Sequence, residues 1–205
     1  MMGELMLCLP SESEIKISRS ETLRYLGYKA PPDNTALALI ERYEAELRRV
    51  ITPRYCAMTL DIDHAEDGRI RLEKIAIGSR DLKKNLDGAA RAIIFAATLG
   101  AAADRLIASL CARGGAAGVI CNALADAAIE GLCDLANERL TEGYISRPRF
   151  SAGYGDLPLS LQKDIVSLLN TQKHIGVTLT ESLMLAPSKS VTAIIGIKDI
   201  EKKND

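Results

Sequence analysis

Tryptophan is absent from this 205-residue chain, and only two phenylalanines and six tyrosines stand in for it. A core must therefore be assembled from Ala, Leu and Ile, with few large rings to fill gaps. Charge of one sign is also missing, with 26 basic residues against 27 acidic ones and a net charge of −1. A general nucleic-acid binder carries a basic excess, so no nucleic-acid partner is expected. Long hydrophobic runs are missing too. The longest apolar stretch, Ala92 to Ala103, is stopped by Asp104 and Arg105, whereas a membrane span takes about 20 residues. No membrane association is expected.

Cysteine is present but never in Cys-x-x-Cys spacing. The five are Cys8, Cys56, Cys111, Cys121 and Cys133, and only His64 and His174 could assist them at a metal. That set is poor for zinc or an iron–sulfur cluster, so inert reduced thiols and no metal are expected. The N-terminus, MMGELMLCLPSESE, lacks the basic start of a secretory signal and turns polar at once, which fits a cytoplasmic location. Gly-x-Gly-x-x-Gly, Walker and Gly-x-Ser-x-Gly patterns are absent, so nucleotide-fold and hydrolase signatures have no foothold. Arg113-Gly-Gly-Ala-Ala-Gly118 precedes a helix but reads as a helix–helix turn.

What is there is periodic. Hydrophobic residues make up 47% of the chain and charged ones 26%, ordinary for a globular domain of this length. Glu14 to Ser18 alternates and reads as a short strand; Ser18 to Glu21 fits a capping box for a short helix that stops at Gly27. Ala36, Ile40, Tyr43, Leu47 and Val50 follow a helical period, and Pro53 ends it. Cys56, Met58, Leu60 and Ile62 alternate on one strand face, Asp67-Gly68 signals a hairpin, and Ile70 to Ile77 returns with a break near Lys74. Ser79 caps a short helix with Leu82 and Leu86; Arg91 to Leu99 is a buried strand or the start of a helix.

Ala101 to Arg113 is helical, and residues 116–140 form the longest helix. Residues 158–170 give a further helix, and Val177 to Glu181 and Val191 to Ile197 two strands. With no repeat or linker, the expectation is one α+β domain over 1–205, mostly antiparallel strands around a long central helix, with residues 1–13 and 198–205 as flexible ends.

Three constellations carry possible chemistry. Arg149-x-x-x-Gly153-Tyr154 combines a guanidinium suited to a carboxylate, a glycine that lets backbone approach a ligand, and a ring face. From the pattern alone, six residues long, a surface loop with an arginine ion pair is the favoured reading. Asn122, Asp126, Glu130 and Asp134 form an i+4 stripe on the long helix; such stripes attract cations but are usually solvated faces. Glu181, in Leu179-Thr-Glu-Ser182, either faces a pocket or pairs with Arg149, or else points outward from an alternating strand.

The block from Arg149 to Ile197, together with Glu21-Thr-Leu-Arg24, Phe95-Ala-Ala-Thr-Leu-Gly100 and the helix from Asn122 through Glu130 to Arg139, resembles the activation domain of cobalamin-dependent methionine synthase. The pieces occur in the family's order. The resemblance implies a domain that binds S-adenosylmethionine in a shallow groove and covers a cobalamin domain during reductive remethylation.

Carried over, Arg149 holds the methionyl carboxylate; Ala152, Gly153 and Tyr154 line the groove; Glu130 and Glu181 sit near the cationic end. No catalytic acid or base is implied. The implied partners are a separate cobalamin-binding methionine synthase or other corrinoid protein, and a reduced flavoprotein or ferredoxin-like electron donor. The stretch Tyr25-Leu-Gly-Tyr-Lys29 departs from the family by lacking an acid. A non-catalytic docking or capping module for a corrinoid domain is the alternative expectation.

Overall fold

The computed structural model describes residues 3–65 and 69–200. Its centre is β2 (Arg54–His64), whose alternation puts Cys56, Met58 and Leu60 on one face and Tyr55 and Ala57 on the other, all buried. β5 (Arg91–Thr98) pairs along its whole length with β2 on one side and with β9 (Ser190–Asp199) on the other. The choice left open between strand and helix for Arg91 to Leu99 falls to strand, consistent with Ile93, Ile94 and Phe95 at its centre. Both its faces are covered, which erases the period that would have announced it. Gly100, at φ 83°, ends the strand.

All sheet pairings are antiparallel. The order is β4 (Ile75–Ile77), β3 (Ile70–Leu72), β2, β5, β9, β6 (Tyr144–Ser146), and β1 (Leu5–Cys8) shares the β2 edge with β3. The expected hairpin at Asp67-Gly68 lies outside the described residues. The expected break near Lys74 is the β3–β4 turn, with Glu73 at φ 55°.

Helices cover both faces of the sheet. On the first lie α1 (Arg19–Tyr25), α2 (Asn34–Arg48), α4 (Ala101–Ala112) and the long α5 (Ala117–Leu140), meeting Phe95, Ile93 and Ile195 of the sheet. On the second lie α3 (Arg80–Asn85), α6 (Leu161–Leu168) and α7 (Thr171–Ile175), meeting Ile94, Ala96 and Ile194. A two-stranded hairpin, β7 (Thr178–Leu179) and β8 (Leu185–Ala186), follows α7. The α+β class, the antiparallel sheet and the long helix are thus as expected. Among the described residues, no helix is long and apolar enough to cross a membrane.

Several local expectations are corrected. Glu14 to Ser18 is not a strand: a single 3₁₀ turn at Glu12–Glu14 leads into chain that pairs with no strand, although Ile15 is buried. This segment crosses α5 at Gly131, where an added Cβ would collide with the Lys16 carbonyl. Ser18 caps α1 by accepting from the Glu21 amide at 3.3 Å, but the Glu21 carboxylate turns to Arg24 instead of completing the box. Gly27 then closes the helix: its amide bonds to the Arg24 carbonyl and that of Tyr28 to Leu23, a Schellman ending. Within the two segments expected to be flexible ends, Leu5–Cys8 pairs with Tyr55 to Met58, and Lys198 and Asp199 pair with β6.

Candidate functional site

Three parts of the chain meet along α5. The first is the helix itself. Its small residues, with Ala123, Ala127, Ala128, Gly131 and Ala136 buried, let neighbouring elements approach closely. The second is the segment 14–21, which runs over α5 at Gly131. Between them lies a groove of about 360 Å³, lined by Glu14, Lys16, Glu21, Glu130, Asp134 and Glu138 among others. The third is the loop after β6, which brings Arg149 to the helix.

Arg149 donates from Nη1 to Asp134 Oδ1 at 2.8 Å and from Nη2 to Glu130 Oε2 at 3.3 Å. Its side chain is 25% exposed, against 48% for Glu130 and 74% for Asp134. The plain reading of the motif, an arginine ion pair, is therefore present, and its partners belong to the very stripe suspected of binding cations. The rest of the stripe is occupied as well. Asn122 donates to Asp126, and Asp126 accepts from Lys189 Nζ at 2.5 Å. The stripe is not an idle solvated face: it fastens two distant segments to the helix.

Next to Arg149, Phe150 makes a two-way backbone bridge to Ile194 of β9 and packs against the second core. Ala152 is buried. Gly153 takes φ 91°, a conformation that suits glycine, and donates its amide to the Leu157 carbonyl at 2.9 Å. Tyr154 is 68% exposed at the tip of this turn. Glu181 stands elsewhere. The strand expected to contain it is only Thr178–Leu179, and Glu181 is an exposed residue of the β7–β8 turn, where Thr180 Oγ1 meets Ser182 Oγ. The carboxylates that pair with Arg149 are Glu130 and Asp134.

The turn is anchored by Asp156, a residue the sequence pattern did not single out. Its carboxylate accepts from Ser79 Oγ, from the Arg80 amide at 2.9 Å and from the Asp81 amide at 3.1 Å, at the start of α3. Those bonds, Ser79's first, hold its pKa down at about 2. In α1, Tyr25 has its phenol pKa raised, first by burial and then by the charge of Glu130. The five cysteines are free, and burial pushes the thiols of Cys56 and Cys133 up to about 12 and Cys121 to about 11. No cluster of His, Cys, Asp and Glu suited to a metal occurs among the described residues.

Residues 133–200, which include Arg149, Gly153, Tyr154 and Asp156, match the family model described as vitamin B12 dependent methionine synthase, activation domain. The chain resembles that domain. The fold extends the likeness: a crystal structure of the MetH reactivation domain bound to AdoHcy superimposes with a TM-score of 0.70 over 97% of this chain and 80% of that one. Identity across that match is 16%, a level at which the shared feature is the fold. A sequence search of curated proteins gives no match. Against the activation-domain pattern, the acid-free stretch Tyr25 to Lys29 forms the Schellman ending of α1 and the start of the loop to α2.

Proposed function

We propose that this chain binds S-adenosylmethionine and presents it to cobalamin carried by a separate methionine synthase or other corrinoid protein, supporting reductive remethylation. The observation that carries the reading is the cluster of Arg149, Glu130 and Asp134 beside the Gly153 turn. One guanidinium and two carboxylates leave a local charge of −1. The ligand has the complementary sum: one carboxylate against an ammonium and a sulfonium.

A guanidinium has five N–H donors, and Arg149 commits one nitrogen to each acid. The remaining donors can take the methionyl carboxylate. Glu130 would meet the cationic end; Gly153 and Tyr154 would border the ligand from the loop after Arg149, with Ala152 buried behind them in the second core. Glu181, on the exposed β7–β8 turn, would join only as part of its rim. Cobalamin, when the partner brings it, supplies the nucleophile for the methyl group, and a reduced flavoprotein or ferredoxin-like protein supplies the electron. The chain's own work is orientation and electrostatics, which needs no general base.

A docking or capping module without ligand is the second reading, favoured by the acid-free Tyr25 to Lys29 and by the partners Arg149 already has. Calorimetric titration separates the two. Saturable one-site binding of S-adenosylmethionine, stronger than that of S-adenosylhomocysteine because the sulfonium charge is lost in the latter, supports the first. No heat at millimolar ligand, with a cobalamin domain present or absent, leaves the second.

A further inference from the structure

The loop that carries Arg149 and Tyr154 is tied to a helix 75 residues earlier in the chain by a reciprocal pair of aspartates. Asp156 accepts from the Arg80 and Asp81 amides and from Ser79 Oγ. In return Asp81 Oδ2 accepts from the Asp156 amide at 3.1 Å. Ser79 also caps α3 by accepting from the Leu82 amide at 3.0 Å, so one hydroxyl serves both the helix and the loop. Gly155 sits at φ 53° with no room for a Cβ, which would run into the Asp81 carboxylate. Neither aspartate is paired with Arg149, Glu130 or Asp134.

We infer that Asp156, locked to Asp81 and Ser79, is a positioning residue that sets the Gly153–Tyr154 turn for the ligand without touching it. The inference rests on the ligand reading above. Its geometry is short and directional. Leu157, next to Asp156, is buried in the second core and donates its amide to the Tyr154 carbonyl. The Gly153 amide returns to the Leu157 carbonyl, closing the turn on itself. The clasp therefore fixes the foot of a turn whose tip is an exposed tyrosine. A turn held in advance spares the ligand the cost of ordering it. Asp156 ties the turn to the start of α3 through Ser79, Arg80 and Asp81, and so helps to set where the turn stands relative to the sheet.

Asp156→Asn tests this, because an amide cannot accept at both ends and loses the Arg80 or the Asp81 contact. Calorimetric affinity for S-adenosylmethionine is measured for the wild type, Asp156→Asn, Tyr154→Ala and the double variant. The expected result is a loss of about 2- to 10-fold for Asp156→Asn alone, and little further loss when it is added to Tyr154→Ala. That non-additivity is the signature of action through the turn, which a general loss of stability would not produce.

Ser79→Ala and Gly155→Ala disturb the same clasp from either side and should weaken binding likewise, which keeps the test open if Asp156→Asn does not fold. A wild type that binds while these variants bind equally well overturns the positioning role alone. So does a double variant whose losses simply multiply. A wild type that takes no ligand overturns the ligand reading and the positioning role together.

Discussion

Removing Arg149 separates its part in the fold from its part in binding. Its two ion pairs, at 2.8 Å to Asp134 and 3.3 Å to Glu130, are open to solvent on the side of the acids. Exposed pairs contribute about 0–1 kcal/mol each after screening. Arg149→Ala also leaves Glu130 and Asp134 facing each other one turn apart on α5, a like-charge contact costing about 0.2–0.5 kcal/mol. The fold should therefore lose at most about 2.5 kcal/mol, a fall in Tm of no more than roughly 5–10 °C for a chain of this size.

Binding should suffer more. Hydrogen bonds to a charged partner contribute about 1.5–3 kcal/mol, or roughly a 10- to 150-fold loss of affinity. Arg149→Lys keeps the charge but not the planar fork, and should fall between the wild type and Ala. The assay is calorimetric titration at low and moderate salt, with circular dichroism to confirm the fold. A folded Arg149→Ala protein that binds within twofold of the wild type would refute the assignment of Arg149 as the carboxylate anchor.

Three further outcomes follow from packing and charge. Gly131→Ala gains about 1 kcal/mol of helix propensity, yet overpacking against the Lys16 carbonyl costs about 1–3 kcal/mol and backbone lies on both sides; the urea midpoint should fall with unchanged slope. The Asp156 carboxyl has its folded pKa lowered to about 2, below the usual value of about 3.9. Its contribution is therefore fully present above about pH 4 and lost as pH falls toward 2; Asp156→Asn should be less stable than wild type at pH 7, with the gap closing by pH 2, in urea titrations at stepped pH. A thiol reagent on the folded protein should modify exposed Cys111 first and half-buried Cys8 next, sparing Cys56, Cys121 and Cys133 until urea is added. Equal labelling of all five would contradict the burial described.

How far the sequence could be read depended on the distance over which each feature is determined. β2 was legible because its alternation, from Tyr55 to Leu60, is local and faces two cores. α5 was legible because Gly114 and Gly115 mark its start and its apolar face repeats over many turns. β5 was left undecided because a run covered on both sides has no period. β8 and α7, at two and five residues, are too short to show one. The stripe on α5 was visible by spacing, but its partners were not: Lys189 lies 63 residues from Asp126, and Arg149 comes back to the helix from beyond β6. The clasp of Asp156 was invisible for the same reason, since nothing near it in sequence announces Ser79 or Asp81.

The bridge at Phe150 has a consequence for motion. Successive residues there go opposite ways: Phe150 packs into the core beneath α6, while Arg149 reaches α5 on the other side of the sheet. A local unfolding event that lifts the α6–α7 layer would carry the loop away from α5 even while the first core stayed intact. One that frays the end of α5 would strand Arg149 without its acids. A molecule held by this loop and this helix together would tax both openings at once. Amide exchange in the two layers, which can proceed independently in the free protein, should slow in concert when that molecule is bound.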